Sequence, residues 1–465
     1  MTKFIYLLIA VTVSTAAAAS AYSEAIDVAA LDSLIAQTVE KKRLPGLSVG
    51  IMHEGKTILA KGYGVVSLDT REPVTAETMF SIGSITKQFT CVLALQLAEQ
   101  AKLSMNDRVS KYFPEASRGG EVSLMDLGQH VSGYRDYYPL DFPDRAMKEP
   151  RAGAKIIRDH VKGLDFDPGT QWSYSNTGFL MLGEIVERVE GAPFERVLER
   201  RVLGPLGMQR TSYQLGGGHP GAATGYGSFA LGDLSSVVSE GKGWLGAAGG
   251  MWSTPSDLLS WDLALMDGRL LSTSSQQMLT TPRRLANGRS TSYGCGLGIG
   301  EREGMLVWSH RGLTAGFSAG NAMLPASKSA VVLMTNVENS APAINELYSA
   351  IIRMFLPAPR QPPIISGLPA LAVAASLMGQ MQAGTPDRSR LGNEFNAFLT
   401  SQRVQAAATA LGRLGKQKSV DVTDIENRGE MEHATILFKF DSGNVEAEMY
   451  RTPDGIIQQF LVFRK

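Results

Sequence analysis

Apolar residues recur at helical spacing between Ala25 and Lys42, where Ile26, Ala29, Leu31, Ile35 and Val39 form one stripe. From Leu47 to Val66 the pattern changes to alternation about a polar turn, His53-Glu54-Gly55-Lys56, which predicts a β-hairpin. Phe89-Thr90-Cys91-Val92-Leu93-Ala94-Leu95-Gln96-Leu97 carries no strand punctuation and predicts a buried helix. A middle region mixing helical patterns with Gly- and Pro-marked loops extends to about Pro282. Short strand patterns return from Tyr293 to Asn336, including Ala330-Val331-Val332-Leu333-Met334. Strands at both ends of a helix-rich middle predict an α+β fold. Its two strand sets would pair into one antiparallel sheet flanked by helices, with catalytic groups in the cleft beside a helical region.

Residues 356–363, Leu-Pro-Ala-Pro-Arg-Gln-Pro-Pro, break both kinds of pattern and read as a stiff Pro-rich linker. It divides a region spanning 22–355 from a small α+β domain over 364–465. That domain shows helical patterns from about Leu368 to Gln382 and Glu394 to Leu414. Strands follow, with turns at Asp441-Ser442-Gly443-Asn444 and Thr452-Pro453-Asp454-Gly455. It contains no candidate chemistry. At the other end, residues 1–21 combine Lys3, the short apolar run Phe4 to Val13 and small residues at Ala19-Ser20-Ala21. This is the layout of a cleavable secretory signal peptide, too short to span a bilayer. Export, to the periplasm by expectation, follows, with no membrane anchor after signal removal.

The 465 residues carry 45 Lys+Arg and 45 Asp+Glu, so the net charge is zero and gives no electrostatic footprint for nucleic acid or an anionic membrane. With two cysteines and no His-Glu-x-x-His spacing, no metal site is indicated. Cys91 and Cys295 are far apart in sequence, and Cys91 falls in the apolar helical run. We read them as two buried thiols, although an exported chain permits a disulfide.

Chemistry concentrates at three places. Ser84-Ile85-Thr86-Lys87 puts a lysine one helical turn behind a serine, and serine is nucleophilic only when a base takes its proton. The same spacing at Ser239-Glu240-Gly241-Lys242 lies among glycines and predicts no helix, whereas Ser84 opens an apolar one. Tyr174-Ser175-Asn176 places a phenol and an amide where both can face a cleft, between the turn Asp167-Pro168-Gly169 and an apolar helix from Phe179. His310-Arg311-Gly312 sits on strand-like sequence, with a glycine that permits close backbone approach.

In this order, Ser-x-x-Lys, Tyr-x-Asn and His-x-Gly resemble the serine β-lactamase and penicillin-binding-protein superfamily. Within it they resemble the group holding class C β-lactamases, DD-carboxypeptidases, D-aminopeptidases and β-lactamase-like esterases. The resemblance covers roughly Leu31 to Phe355. It extends to Gln129-His130-Val131-Ser132-Gly133-Tyr134 and Gly249-Gly250-Met251-Trp252-Ser253-Thr254-Pro255-Ser256-Asp257-Leu258, both read as structural. It implies that Ser84 attacks the acyl carbon, that Lys87 and Tyr174 share the proton transfers, and that Asn176 orients substrate or Lys87. His310 would take the place of the family's strand lysine or histidine. The N–H groups of Ser84 and of Leu313, just past Gly312, would form the oxyanion hole. No cofactor is implied, and the partner is a small-molecule or peptide substrate.

Where β-lactamases carry Lys-Thr-Gly this chain has His-Arg-Gly. A histidine is mostly neutral at pH 7 and offers no permanent cation to a substrate carboxylate. Arg311 could supply one, but is read as pointing to solvent. The first expectation is therefore a peptidase, amidase or esterase. A β-lactamase comes second, and a non-catalytic binding or assembly protein on the same fold third.

Overall fold

In the computed structural model of this chain, residues 26–138, 145–213, 220–228, 232–302, 304–338, 340–355 and 362–464 are described. The signal-peptide reading over 1–21 and linker positions 356–361 lie outside them. The chain divides into two compact units that meet in sequence at Leu356 and Pro357.

The larger unit is built on a six-stranded antiparallel sheet. The hairpin is β1 (Gly46–His53) and β2 (Lys56–Gly64), turning at Glu54-Gly55. The later strands are β3 (Gly298–Arg302), β4 (Met305–Thr314), β5 (Phe317–Leu324) and β6 (Ser329–Thr335). Their spatial order is β2-β1-β6-β5-β4-β3, so the two strand sets join where β1 pairs with β6. Strand β6 shows why its sequence is an unbroken apolar run. Val331 and Leu333 pack with Leu31 and Ile35 of α1 (Val28–Lys42) and Leu347 and Ile351 of α5 (Ala341–Met354). On the opposite face, Ala330, Val332 and Met334 join Phe89 of α2 (Thr86–Glu99) and Leu258 and Leu259 of α4 (Pro255–Met266). Both faces are covered, so the strand has no solvent side to make polar.

Helix α2 is the centre of this unit, and nearly every position from Thr86 to Leu97 is buried, Lys87 and Gln88 included. A helix apolar on all sides belongs in the middle of a core. It packs against α3 (Asn176–Glu190), whose buried face includes Phe179, Leu182 and Val186.

One expectation is corrected here. Cys91 and Cys295 are not two thiols but a disulfide, with Cα atoms 5.8 Å apart across a sequence separation of 204. Cys91 lies one turn beyond Lys87 on α2, and the segment carrying Cys295 runs directly over that turn. A Cβ on Gly296 would sit 2.5 Å from the Lys87 carbonyl oxygen, and one on Gly128 would sit 2.5 Å from Cys295 Sγ. The tertiary fold makes the pair, and no local pattern announces it.

The smaller unit has helices α6 (Ala370–Ala383), α7 (Asn393–Phe398) and α8 (Ser401–Gly412). Its sheet runs β7-β8-β9-β10, from β7 (Gln417–Arg428), β8 (Met431–Phe440), β9 (Gly443–Arg451) and β10 (Ile457–Arg464). The helical pattern over 394–414 is two helices rather than one. The break falls at Leu399-Thr400, where the Thr400 hydroxyl accepts from Arg403 N at 3.3 Å and caps α8. Alternate residues Ala434, Ile436 and Phe438 of β8 face the core with Ala447 and Met449 of β9.

Candidate active site

Ser84 lies in a tight 3-10 turn, Gly83–Ile85, that runs straight into α2. Gly83 holds φ +47°, and a Cβ there would meet Leu313 N at 2.8 Å and Leu313 O at 3.1 Å. Only glycine lets the turn that carries Ser84 press against the end of β4. A Cβ on Gly312 would similarly meet the Ile82 carbonyl oxygen at 2.0 Å. Since N and O of one strand residue project to the same edge, the edge of Leu313 that lacks a neighbouring strand faces Ser84. The Leu313 backbone is thereby brought beside the turn that carries Ser84.

One turn along, Lys87 is fully buried, and its three ammonium donors have three acceptors. Nζ donates to Ser84 Oγ at 2.9 Å, to Asn176 Oδ1 at 2.7 Å and to the Ala248 carbonyl at 2.7 Å. Its remaining surroundings are aromatic, with Nζ 4.7 Å from the Tyr174 ring centroid and 5.4 Å from that of Phe179. Burial pushes the lysine down to about 7, opposed by the negative charge of Asp136.

Tyr174 is hydrogen-bonded to Ser84, and burial raises its phenol well above the ordinary tyrosine value. It is held from below by His130, whose ring lies 4.2 Å from the Tyr174 ring. His130 Nδ1 accepts from Ser175 N at 3.0 Å, and its carbonyl accepts from Ser173 N at 3.0 Å. Both residues flanking Tyr174 are thus fastened to one histidine, itself held neutral by burial.

His310 is buried on β4, with its ring 6.3 Å from that of Tyr174. Its Nδ1 lies 2.6 Å from the Arg311 carbonyl and so donates, which leaves Nε2 to accept from the Tyr293 hydroxyl at 2.7 Å. Burial first, then the nearby Lys87 charge, pushes His310 down to about 3. The histidine is neutral with both nitrogens occupied. Arg311 is exposed, as read from sequence, and donates to Asn345 Oδ1 at 2.6 Å.

These groups open on a cleft of about 420 Å³ walled by Trp172, Tyr174, Tyr293 and Leu313, with Arg311 on its rim. Trp172 and Leu313 present apolar surface there, at 39% and 43% exposure. All seven residues singled out in the sequence meet in this region: Ser84, Lys87, Tyr174, Asn176, His310, Gly312 and Leu313. The second Ser-x-x-Lys, at Ser239 to Lys242, lies in irregular chain.

Three participants were missed. Asp136 accepts from Asn176 N at 3.0 Å and, on its other oxygen, from Asn176 Nδ2 at 3.1 Å. Tyr293 fixes His310, and the Ala248 carbonyl fixes Lys87. Asp136 follows the His-x-Ser-Gly turn closely, but nothing in a single sequence ties it to Asn176. A backbone carbonyl leaves no sequence signal at all.

The antiparallel sheet flanked by helices, with a serine, a buried lysine and a tyrosine converging at its edge, defines the β-lactamase/transpeptidase-like architecture. Residues 31–352 match the Beta-lactamase family, and the chain belongs to it. The chain is similar to a D-aminopeptidase of Brucella anthropi, 26% identical over 319 residues, which are 68% of this chain and 60% of that protein. The match therefore spans about three fifths of that relative's length. Among solved structures, a D-stereospecific amidohydrolase from Streptomyces sp. matches with TM-score 0.60 and 24% identity, over 70% of this chain and 99% of its own. An octameric penicillin-binding protein homologue from Pyrococcus abyssi matches with TM-score 0.61 and 21% identity, over 94% of this chain and 99% of its own. Both likenesses concern the fold.

Proposed function

We propose that this protein is a serine amidase or peptidase that works through an acyl-enzyme on Ser84. The observation that carries the reading is the 2.9 Å contact between Ser84 Oγ and a buried Lys87 whose proton is labile near pH 7. Neutral Lys87 takes the serine proton as Oγ bonds to the substrate's acyl carbon. The oxyanion so formed is held by the N–H groups of Ser84 and Leu313. Tyr174, kept protonated by its raised pKa, passes a proton to the leaving amine as the C–N bond breaks, and recovers it from Lys87. Water then attacks the ester, giving a proton to Lys87, and Lys87 returns it to Ser84 Oγ as the acyl C–O bond breaks and the acid leaves.

The neutral, fully bonded His310 offers no cation for a substrate carboxylate, and Arg311 on the cleft rim is bonded to Asn345, which disfavours β-lactams and C-terminal carboxylates. The apolar walls suit an uncharged or aromatic acyl group. The similarity to a D-aminopeptidase and a D-stereospecific amidohydrolase supports an acyl residue of D configuration. The Cys91–Cys295 disulfide supports action in an oxidising compartment, consistent with the signal-peptide reading and a periplasmic location.

A fluorophosphonate probe should label the wild type and not Ser84→Ala. Absence of wild-type labelling would overturn the hydrolase reading. D-aminoacyl p-nitroanilides, short p-nitrophenyl esters and nitrocefin then rank the substrates. Turnover of nitrocefin at a higher kcat/KM than the anilides would replace the amidase reading with a β-lactamase.

A further inference from the structure

We propose that Asp136 is a positioning residue for this reaction, fixing the Asn176 side-chain amide so that its oxygen faces Lys87. The inference rests on the hydrolase reading above. An asparagine amide has an accepting and a donating end, and either could be turned toward a neighbour. Lys87 carries only donors when charged, so it needs the oxygen. Asp136 decides the matter, because a carboxylate only accepts. With Asn176 N on one carboxylate oxygen at 3.0 Å and Nδ2 on the other at 3.1 Å, the donating end is committed and Oδ1 is left toward Lys87 at 2.7 Å. Tyr138 N also donates to Asp136, at 3.1 Å, which anchors the carboxylate in its own loop.

The arrangement places one negative charge behind an amide, facing one buried lysine. Among the described residues no other carboxylate acts on Lys87. The groups around it are Ser84 and Tyr174, the neutral His130 and His310, the Phe179 ring and the Ala248 carbonyl. Around Asp136 the titratable neighbours are Lys87, Tyr137 and Tyr174, both tyrosines held protonated by burial. Removing the Asp136 charge therefore takes away the one anion among the described residues that favours the charged lysine. Removing its second accepting oxygen also frees the Asn176 amide to turn.

The test is the rate of Ser84 labelling by a fluorophosphonate in wild type and Asp136→Asn, followed from about pH 5 to about pH 9. Loss of the anion should move the acid limb of the profile down by about half to one pH unit. Turnover of an amide substrate at the plateau should fall about tenfold or more through kcat, with KM little changed. A residue that merely caps α3 would alter the melting temperature and leave the limb in place. An unmoved limb in folded Asp136→Asn overturns the proposal. Should that variant not fold, Asp136→Ser, which keeps an acceptor without the charge, is read the same way. In the wild type itself, the assigned carboxyl 13C signal of Asp136 should inflect at the pH of the labelling limb, and a flat response would also overturn it. Failure of the wild type to label at all counts against the hydrolase reading, so the two failures are distinct.

Discussion

Two buried cations, one in each unit, are paired in different ways. Arg451 on β9 meets its carboxylate directly: Nε and Nη2 donate to Glu432 Oε1 at 2.8 and 2.5 Å, and Nη1 donates to the Leu368 carbonyl at 2.8 Å. Both partners are buried, and the pair joins adjacent strands to the start of α6. Lys87 has its carboxylate, Asp136, set one amide away and spends its three donors on neutral oxygens. A guanidinium bonded directly to a carboxylate is a fixture, since arginine does not lose its proton in proteins. A lysine denied direct contact with an anion, in a dry aromatic pocket, has a proton that can leave. Distance to the counter-charge separates a structural cation from a chemical one.

The largest effect should come from removing the chemical cation. Lys87→Met keeps the apolar stem and deletes the proposed base, and should lower kcat/KM by about 10⁴-fold or more, as for nucleophile–base units generally. A drop under about tenfold, measured with an anilide substrate, would place the base elsewhere. The structural cation predicts the opposite kind of loss. Glu432→Gln leaves Arg451 buried without its charge partner and should destabilise the smaller unit by about 3–5 kcal/mol in urea unfolding. A change within about 0.5 kcal/mol would show that the pair is dispensable.

The disulfide tests how far the cation's setting depends on its neighbours. Cys91→Ser/Cys295→Ser removes the tie between the turn after Lys87 and the segment carrying Tyr293. It should cost about 2–4 kcal/mol of stability by chemical denaturation. An unchanged unfolding midpoint would mean that glycine packing alone holds the segments.

A smaller, pH-dependent effect comes from a third buried group, which has no cation beside it among the described residues. Asp262 accepts from Asn321 Nδ2 at 2.6 Å, and Asn321 is in turn bonded to Gln88, the residue after Lys87. Burial raises its carboxyl to about 8. The folded state then binds a proton that the unfolded chain releases near pH 4, so stability from this group is complete below that pH. It is lost as pH rises toward 8, at a slope of at most about 1.4 kcal/mol per pH unit. Asp262→Asn should flatten the fall in melting temperature between about pH 5 and 8, and an equally steep fall in the variant would assign it to other groups.

Much of this was legible in the chain. The hairpin at residues 46–64 and the strands after Tyr293 follow from alternation, because a pleated strand shows its neighbours every second residue. The buried helix after Ser84 follows from an apolar run on all faces. The three motifs carried the seven site residues because each needs a particular side chain at a particular spacing.

What the sequence could not determine was every relation that joins distant positions through one shared geometry. Cys91 meets Cys295 only because the segment before β3 crosses α2. Asp136 meets Asn176 only because the loop after the His-x-Ser-Gly turn packs on the first turn of α3. The neutrality of His310 likewise depends on its depth of burial and on the nearby Lys87 charge. Local sequence fixes which chemical groups are present and the element that carries each. Desolvation and the distance between charges, which set whether a proton is fixed or free, are properties of the packed interior alone.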